Sequence, residues 1–439
     1  MTALRRTVLA MVMALGLTTV GVAALAPRTE AASPQLVNAI TGTRLYALQR
    51  TWAATAVDYN NDGLEDIWLG YHQQVDSKLM RNNGDGTFTW VAKNLTARVN
   101  AEGGILDRHD CAWNDVDHNG LLDVYCSGGR NLDNYYKTAE KDNELWLQLT
   151  PGTFTDVATA WGLGDPCGRG RFVAFLDLDN DGWDDLFVGN EMPREVDDPL
   201  CDPLADTAQH EYSKVFLNDG GTGFTFAPQF ATPHPSAGVN CAIPMDFNKD
   251  GWMDLLACNY KNSRPLLYRN NAGQSFTEVG SWAAIKLTAM TDGRYEDITA
   301  DGIPDLVASD ATGIFYRPGT ATGFDAAVRI YTNDFAVAPN AYGWGVAVGD
   351  INGDGQQDVY GLVHDLTLAT NPYDVVMVGN GFSATNRPKF TKHVVPGAAG
   401  NASTVTTLHL QPGGPASFFV QNGREDVDGP NQLISWKFA

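Results

Sequence analysis

The sequence predicts an all-β fold, a closed ring of seven four-stranded blades, on three observations. A nine-residue acidic pattern occurs six times, a hairpin signature follows each copy, and first aspartates at 58, 115, 177, 246, 297 and 350 set a period of 51 to 69 residues. Repeats of this length are supersecondary units that bury their apolar faces only by stacking on neighbours. Four strands at this period describe the blade of a β-propeller.

The first copy is DYNNDGLED, Asp58 to Asp66. DVDHNGLLD, DLDNDGWDD, DFNKDGWMD, DITADGIPD and DINGDGQQD follow, starting at Asp115, Asp177, Asp246, Asp297 and Asp350. Each has an oxygen side chain at positions 1, 3, 5 and 9 and Gly at 6. A tight loop of this kind turns several oxygens onto one hard cation, and calcium is the ion it fits. Position 7 is expected to ligate through its carbonyl and to leave its side chain for the core.

The expected ligands are Asp58, Asn60, Asp62, Leu64 and Asp66 in the first loop and Asp115, Asp117, Asn119, Leu121 and Asp123 in the second. They are Asp177, Asp179, Asp181, Trp183 and Asp185 in the third, and Asp246, Asn248, Asp250, Trp252 and Asp254 in the fourth. In the fifth they are Asp297, Thr299, Asp301, Ile303 and Asp305, and in the sixth Asp350, Asn352, Asp354, Gln356 and Asp358. About six calcium ions follow.

An EF-hand would need a bidentate acid at position 12 and flanking helices. Here position 12 is Leu69, Cys126, Val188, Ala257, Ala308 or Gly361, and an aliphatic residue at position 10 leads into β-rich runs such as DIWLGY and DLFVGN. The loop therefore joins two strands.

Each blade's second half is a hairpin, as in KLMRNNGDGTFT, ELWLQLTPGTFT and LLYRNNAGQSFT: an apolar strand, a Gly/Asn turn and a strand opening on Phe. The phenylalanines are Phe88, Phe154, Phe224, Phe276, Phe324 and Phe390. A seventh unit, TTLHLQPGGPASFFVQ, has His409 at position 1 and Gly413 at position 5 and should hold no calcium. It ends one strand short, at NQLISWKFA, and Leu36, Val37, Ala39 and Ile40 near the N-terminus supply the missing outermost strand. The two chain ends then close the ring and remove its open sheet edges.

With 439 residues, 45 Gly, 21 Pro and 44% hydrophobic residues, the chain is globular. Residues 1–31 read as a secretory signal: the Arg5/Arg6 pair, an apolar run from Thr7 to Ala26, and small residues at Ala31 and Ala32. The propeller then occupies 32–439 and the protein is secreted. The apolar run is almost long enough to span a bilayer, so an uncleaved anchor is the alternative, and no later segment reads as transmembrane. The formal charge of −22 argues against a nucleic-acid partner. Nineteen aspartates stand at ligand positions, so six divalent cations would offset more than half of that charge.

Six cysteines in a secreted chain suggest three disulfides. Cys111 and Cys126 lie four before and eleven after the first Asp of their loop, and Cys241 and Cys258 five before and twelve after, so both pairs face each other across the same hairpin register. Cys167 and Cys201 are left as the third pair. With no Cys-x-x-Cys spacing, a zinc site is not indicated.

The metal loops share one face with the hairpin turns, and the opposite face collects the strand starts and longer inserts. Six residues before each first Asp stand Trp52, His109, Arg171, Asn240, Thr291 and Trp344, with Ser403 in the seventh blade. They are expected at the channel's other mouth, with His72, Arg130, Tyr260 and His364 on the inserts nearby. Aromatic faces suit sugar rings and arginines suit carboxylates. Trp52, His72, His109, Arg130, Arg171, Trp344 and His364 are the candidate ligand-binding residues. His109, flanked by Arg108 and Asp110, is the candidate for acid–base work.

With these motifs the chain resembles the FG-GAP or VCBS repeat family, calcium-loop propellers that include the head of integrin alpha chains. The resemblance covers residues from about Leu36 to Ala439, with Thr299 departing from Asp or Asn at position 3. It implies a calcium-binding propeller but no single function, since the family spans adhesion heads, lectin-like modules and polysaccharide-cleaving enzymes. The expected function is a secreted module that binds a glycan or a surface protein. The alternative is a polysaccharide lyase or hydrolase with His109, Arg171 and Tyr260 as candidate catalytic residues.

Overall fold

Each acidic nonapeptide closes the turn between two antiparallel strands, the second of which begins at its ninth residue. The computed structural model describes residues 34–46, 48–49, 51–71, 77–92, 95, 107–129, 143–165, 168, 170–190, 212–230, 232–233, 239–259, 264–280, 287–334, 341–365, 373–397, 402–423 and 429–437. For Trp52, Asn240 and several other strand-end residues only the backbone is described.

Blade 1 consists of Thr51–Val57, Asp66–Tyr71, Lys78–Asn82 and Phe88–Val91, paired in sequence order. Blades 2, 3 and 4 repeat the meander, starting at Asp107, Gly170 and Val239. Blades 5 and 6 start at Asp292 and Ala341. In blade 7, Thr404–His409, Ala416–Gln421 and Gln432–Lys437 are completed by Gln35–Asn38, with Leu36 opposite Trp436 and Asn38 opposite Ile434. The first strands of neighbouring blades touch all the way round, the seventh meeting the first. The result is the expected seven-bladed propeller, closed by the N-terminal strand.

The apolar core is divided among the seams between blades. Val57, Trp68, Val124 and Phe154 fill the seam between blades 1 and 2, and corresponding clusters fill the other six. Because a blade is covered on both faces, its second strand shows no alternation of polar and apolar residues; Asp66–Tyr71 is buried throughout. Phe88, Phe154 and Phe224 each fill the seam towards the preceding blade.

One expected strand start moves. In blade 5, Phe324 belongs to a two-residue bridge with Gly319–Thr320, and Val328–Thr332 forms the fourth strand. Phe324 still enters the seam with blade 4, so packing is kept while the strand starts later.

Cys111 pairs opposite Cys126 and Cys241 opposite Cys258, with Cα separations of 4.1 and 4.8 Å, and both pairs are disulfides. Cys167 and Cys201, like residues 1–31, lie outside the described residues.

Closure rests on Leu36, buried in the seam between blades 6 and 7, and Ile40, buried between blades 7 and 1. Each contributes about 2 kcal/mol by burial alone. Protein truncated through Ile40 should melt well below protein truncated to Ser33, or aggregate through the exposed edge. Equal melting temperatures would refute closure by this strand.

Candidate metal centres and the face opposite them

The loops wrap because two of their residues take left-handed backbone conformations. Position 4 has φ of 57° at Asn61, 54° at His118, 58° at Asn180, 57° at Lys249, 55° at Ala300 and 73° at Gly353. The glycines at position 6 have φ of 83° to 89°. An L-residue with a Cβ is strained there, which explains the invariant Gly.

The carboxylate at position 1 organises the wrap. One oxygen accepts the N–H of the position-6 glycine at 2.7 to 3.1 Å in all six loops. The other accepts the position-5 N–H in every loop but the third, as from Asp62 to Asp58 at 3.0 Å. In the third loop the Asp181 N–H donates to Asp179 at 3.2 Å, and Asp177 Oδ1 is buried without a partner. A buried carboxylate oxygen with no donor is costly, and a cation would satisfy it.

Position 9 is buried at the start of the second strand: Asp66, Asp123, Asp185, Asp254, Asp305 and Asp358 are at most 1% exposed. One oxygen accepts a backbone N–H from the third strand or the turn that follows it, from Asn82, Gln148, Asn218, Asn270, Gly319 or Gly379 at 2.7 to 2.9 Å. In loops 2 to 6 the other accepts the position-2 N–H, at 2.8 to 3.2 Å. Burial pushes these carboxyls up, to about 7 at Asp66, Asp123, Asp185, Asp254 and Asp358, and upward also at Asp305.

Asp115, Asp117 and Asp123 bring ligand atoms within 4.8 Å of one another, as do Asp177, Asp179 and Asp185. These acidic groups could hold a metal ion, and the oxygen-only donor set suits a hard divalent cation. The fifth loop differs as its sequence indicates: the buried Thr299 donates its N–H to Asp305 at 2.9 Å, and its hydroxyl is 3.5 Å from both Asp297 and Asp305.

Position 7 does not reach the core. Its side chain is half-buried, and in blades 1, 3 and 4 it lies over the hairpin turn of its own blade: a Cβ on Gly84 would come within 3.3 Å of Leu64, one on Gly221 within 2.6 Å of Trp183, and one on Gly273 within 2.9 Å of Trp252. The buried apolar residue of the loop is at position 2, in Tyr59, Val116, Leu178, Phe247, Ile298 and Ile351. Its apolar character in all six copies was the available signal.

A second missed feature is an amide six residues before the hairpin Phe, in Asn82, Gln148, Asn218 and Asn270, each at most 5% exposed. Its distance from the acidic loop varies, which hides it from a count that starts at the loop. Its distance from the Phe does not vary.

On the opposite face, the residue six before the first Asp is the extra residue of a β-bulge in blades 2, 3, 4 and 6, and Trp52 lies within the bulge of blade 1. A bulge re-aims a side chain, and here it aims several at the next blade. His109 is buried, with Nδ1 2.9 Å from the Gly170 carbonyl and Nε2 3.4 Å from Arg171 Nη1. Thr291 donates to the Gly343 carbonyl at 2.8 Å, and Trp344 Nε1 to the Ser403 carbonyl at 3.2 Å. His364 bonds through Nε2 to the Ala402 carbonyl and stacks on Trp344, ring centroids 4.5 Å apart.

The structure thus brings His109 to Arg171 and Trp344 to His364. The surroundings expected for His109 do not form. Arg108 points into the seam between blades 1 and 2, ion-paired with Glu144 at 2.5 Å and lying over Trp68 and Trp146. Asp110 accepts the Val173 N–H at 3.0 Å. The bulge at His109 turns these neighbours away from the imidazole. His72, Arg130 and Tyr260, and the side chain of Trp52, lie outside the described residues.

Fold and loops together define a seven-bladed propeller carrying six acidic turn sites on one face. The chain belongs to the FG-GAP-like repeat family, whose profile matches residues 58–126, 115–188, 246–308 and 297–361. It is 28% identical over 176 residues to cartilage acidic protein 1 of Mus musculus (38% of this chain, 25% of that protein). To the Homo sapiens protein it is 25% identical over 239 residues (50% and 33%). It is 33% identical over 89 residues to integrin alpha-3 of Cricetulus griseus (20% and 8%). The matched regions thus span at most a third of these relatives. A solved lectin of Agrocybe aegerita, described as recognising non-reducing terminal N-acetylglucosamine, shares the fold with a TM-score of 0.50 at 15% identity over 85% of this chain and 86% of its own. Among the described residues, no helix is long and apolar enough to cross a membrane.

The raised position-9 carboxyls give a pH dependence with a definite sign. Between the ordinary value of 3.8 and about 7, the folded ion-free protein binds more protons than the unfolded chain, so its stability falls as pH rises through that window. In chelator the protein should melt higher at about pH 5.5 than at about pH 7.5. An excess of calcium should reverse the order, since the ion needs the carboxylates deprotonated. Identical melting temperatures at both pH values in chelator would remove the assignment.

Proposed function

We infer that the protein is a secreted calcium-binding propeller that acts as a binding module, holding a glycan or a surface protein on the face opposite its loops. The observation that carries the calcium reading is the repetition of one wrap in six loops, with three carboxylates converging in the second and third. Binding is favoured over catalysis because His109 is buried with both ring nitrogens engaged, whereas a general acid or base must reach its substrate's proton.

Each ion would be held by the side-chain oxygens at positions 1, 3, 5 and 9 and the carbonyl at position 7. Sites of this extracellular kind are as weak as about 0.1 to 1 mM. Calorimetry and elemental analysis in saturating calcium should find about six ions, and Asp62→Ala should remove one and leave the rest. A count of one or two would overturn the six-site reading.

A panel of acidic polysaccharides separates the two functional classes. Retention of a polysaccharide without new products supports the module. The appearance of ultraviolet-absorbing unsaturated ends would establish a lyase and overturn it.

A further inference from the structure

The buried amide in blades 1 to 4 holds more than its own hairpin. Asn270 donates its side-chain N–H groups to the Leu178 carbonyl at 2.8 Å and the Met253 carbonyl at 3.0 Å, while its Oδ1 accepts the Gly273 N–H at 2.9 Å. Leu178 is position 2 of the third loop and Met253 is position 8 of the fourth. Asn218 does the same between Val116 of the second loop and Asp184 of the third, at 3.0 and 3.3 Å. Gln148 does so between Tyr59 of the first loop and Leu122 of the second, at 3.0 and 2.8 Å. Asn82 reaches from the first loop to Leu410 of the ion-free seventh.

Each of these amides thus spans two loops, with both donors and its acceptor used. Its backbone N–H also donates to the position-9 carboxylate of its own loop. A second connection runs through position 4. Asn61 donates to the Gly120 carbonyl at 2.6 Å, His118 stacks on Trp183 with centroids 3.9 Å apart, and Asn180 donates to the Gly251 carbonyl at 3.0 Å. In blades 5 and 6 the corresponding residues are Gly319 and Gly379, which have no amide to offer; a Cβ on Gly319 would lie 2.1 Å from the Pro304 carbonyl.

We propose that Gln148, Asn218 and Asn270 are positioning residues for the metal loops of two adjacent blades, so that loops 1 to 4 fill as a coupled set while the seams entering blades 5 and 6 lack this connection. The inference rests on the calcium reading above. A group that orients a metal loop from outside the ligand set typically changes affinity by about tenfold or more when removed. Such coupling transmits occupancy, since a filled loop fixes the carbonyl that the next blade's amide holds.

The second and third loops share a reporter, because Trp183 stands at position 7 of the third and stacks on His118 of the second, and the only other position-7 tryptophan is Trp252. In a Trp252→Phe background, terbium emission excited through Trp183 should titrate the second and third loops, and the added variant Asp117→Ala should leave the signal of the third. Asn270→Ala, in the next blade, should weaken terbium there about tenfold. Asn271→Ala should not, because among the described residues that side chain bonds only within its own hairpin, to Arg269, Ser275 and Thr277. Unchanged affinity in Asn270→Ala overturns the coupling. Absence of sensitised emission in the parent instead overturns the metal reading beneath it.

Hydrogen exchange gives a second measurement, independent of whether Asn270→Ala folds. In Asp181→Ala with excess calcium, residues 266–276 of blade 4 should lose protection while 375–388 of blade 6 keep theirs. A change confined to 177–185 would overturn the proposal.

Discussion

A buried aspartate at the ninth position of each loop is the contact on which the blade depends. It opens the second strand, accepts a backbone N–H from the third strand or just beyond it and, in five of the loops, accepts another from position 2. Three segments of one blade therefore meet at one carboxylate. Burying that group without an ion is unfavourable, as the upward shifts show, so the geometry that fixes the blade also creates a demand for positive charge. The same geometry that fixes the blade gathers acidic groups that could hold a metal ion.

Ring closure imposes the second constraint. A blade whose second strand is apolar on both faces cannot exist alone, and its stability lies in the seams it shares. The seams are secured differently at the two ends of the channel. On the loop face, amides and position-4 side chains cross from blade to blade. On the other face, bulges turn His109 and Trp344, and Thr291 at its strand start, onto backbone of the next blade. At the seventh unit, which lacks the acidic pattern, Glu65 of the first loop meets His409, and Gln411 reaches the Gly84 carbonyl at 2.9 Å. Polar contacts thus join the seventh blade to the first, at a seam where one of the two loops lacks the acidic pattern.

Most of the fold was legible because its signals are periodic and local. Spacing gave the blades, offsets within a hairpin gave the Cys111–Cys126 and Cys241–Cys258 register, and the apolar set around Leu36 gave the closing strand. What stayed hidden depends on neighbours far apart in sequence. No local pattern says that His109 sits in a bulge, because the bulge is a mismatch between two strands, or that Arg108 prefers Glu144 and two indoles to the imidazole beside it. The fate of position 7 was misread for a related reason: an apolar side chain after the loop was assigned to the core, but the hairpin turn of the same blade, with its glycine, offers a nearer apolar partner.

The division of labour between the two faces bears on how such a ring acquires function. The loop face is constrained at nearly every residue, by left-handed backbone, by carboxylates and by amides that join adjacent loops, so a change there is felt across a seam. On the other face the strand starts are equally occupied in holding blades together, and His109, Thr291, Trp344 and His364 are accounted for by contacts between blades. His72, Arg130 and Tyr260 stand in sequence between the second and third strands of blades 1, 2 and 4, outside the described residues. The periodic signals that mark the fold therefore belong to the seams and the acidic loops, which is why one fold and one loop pattern are legible in the sequence.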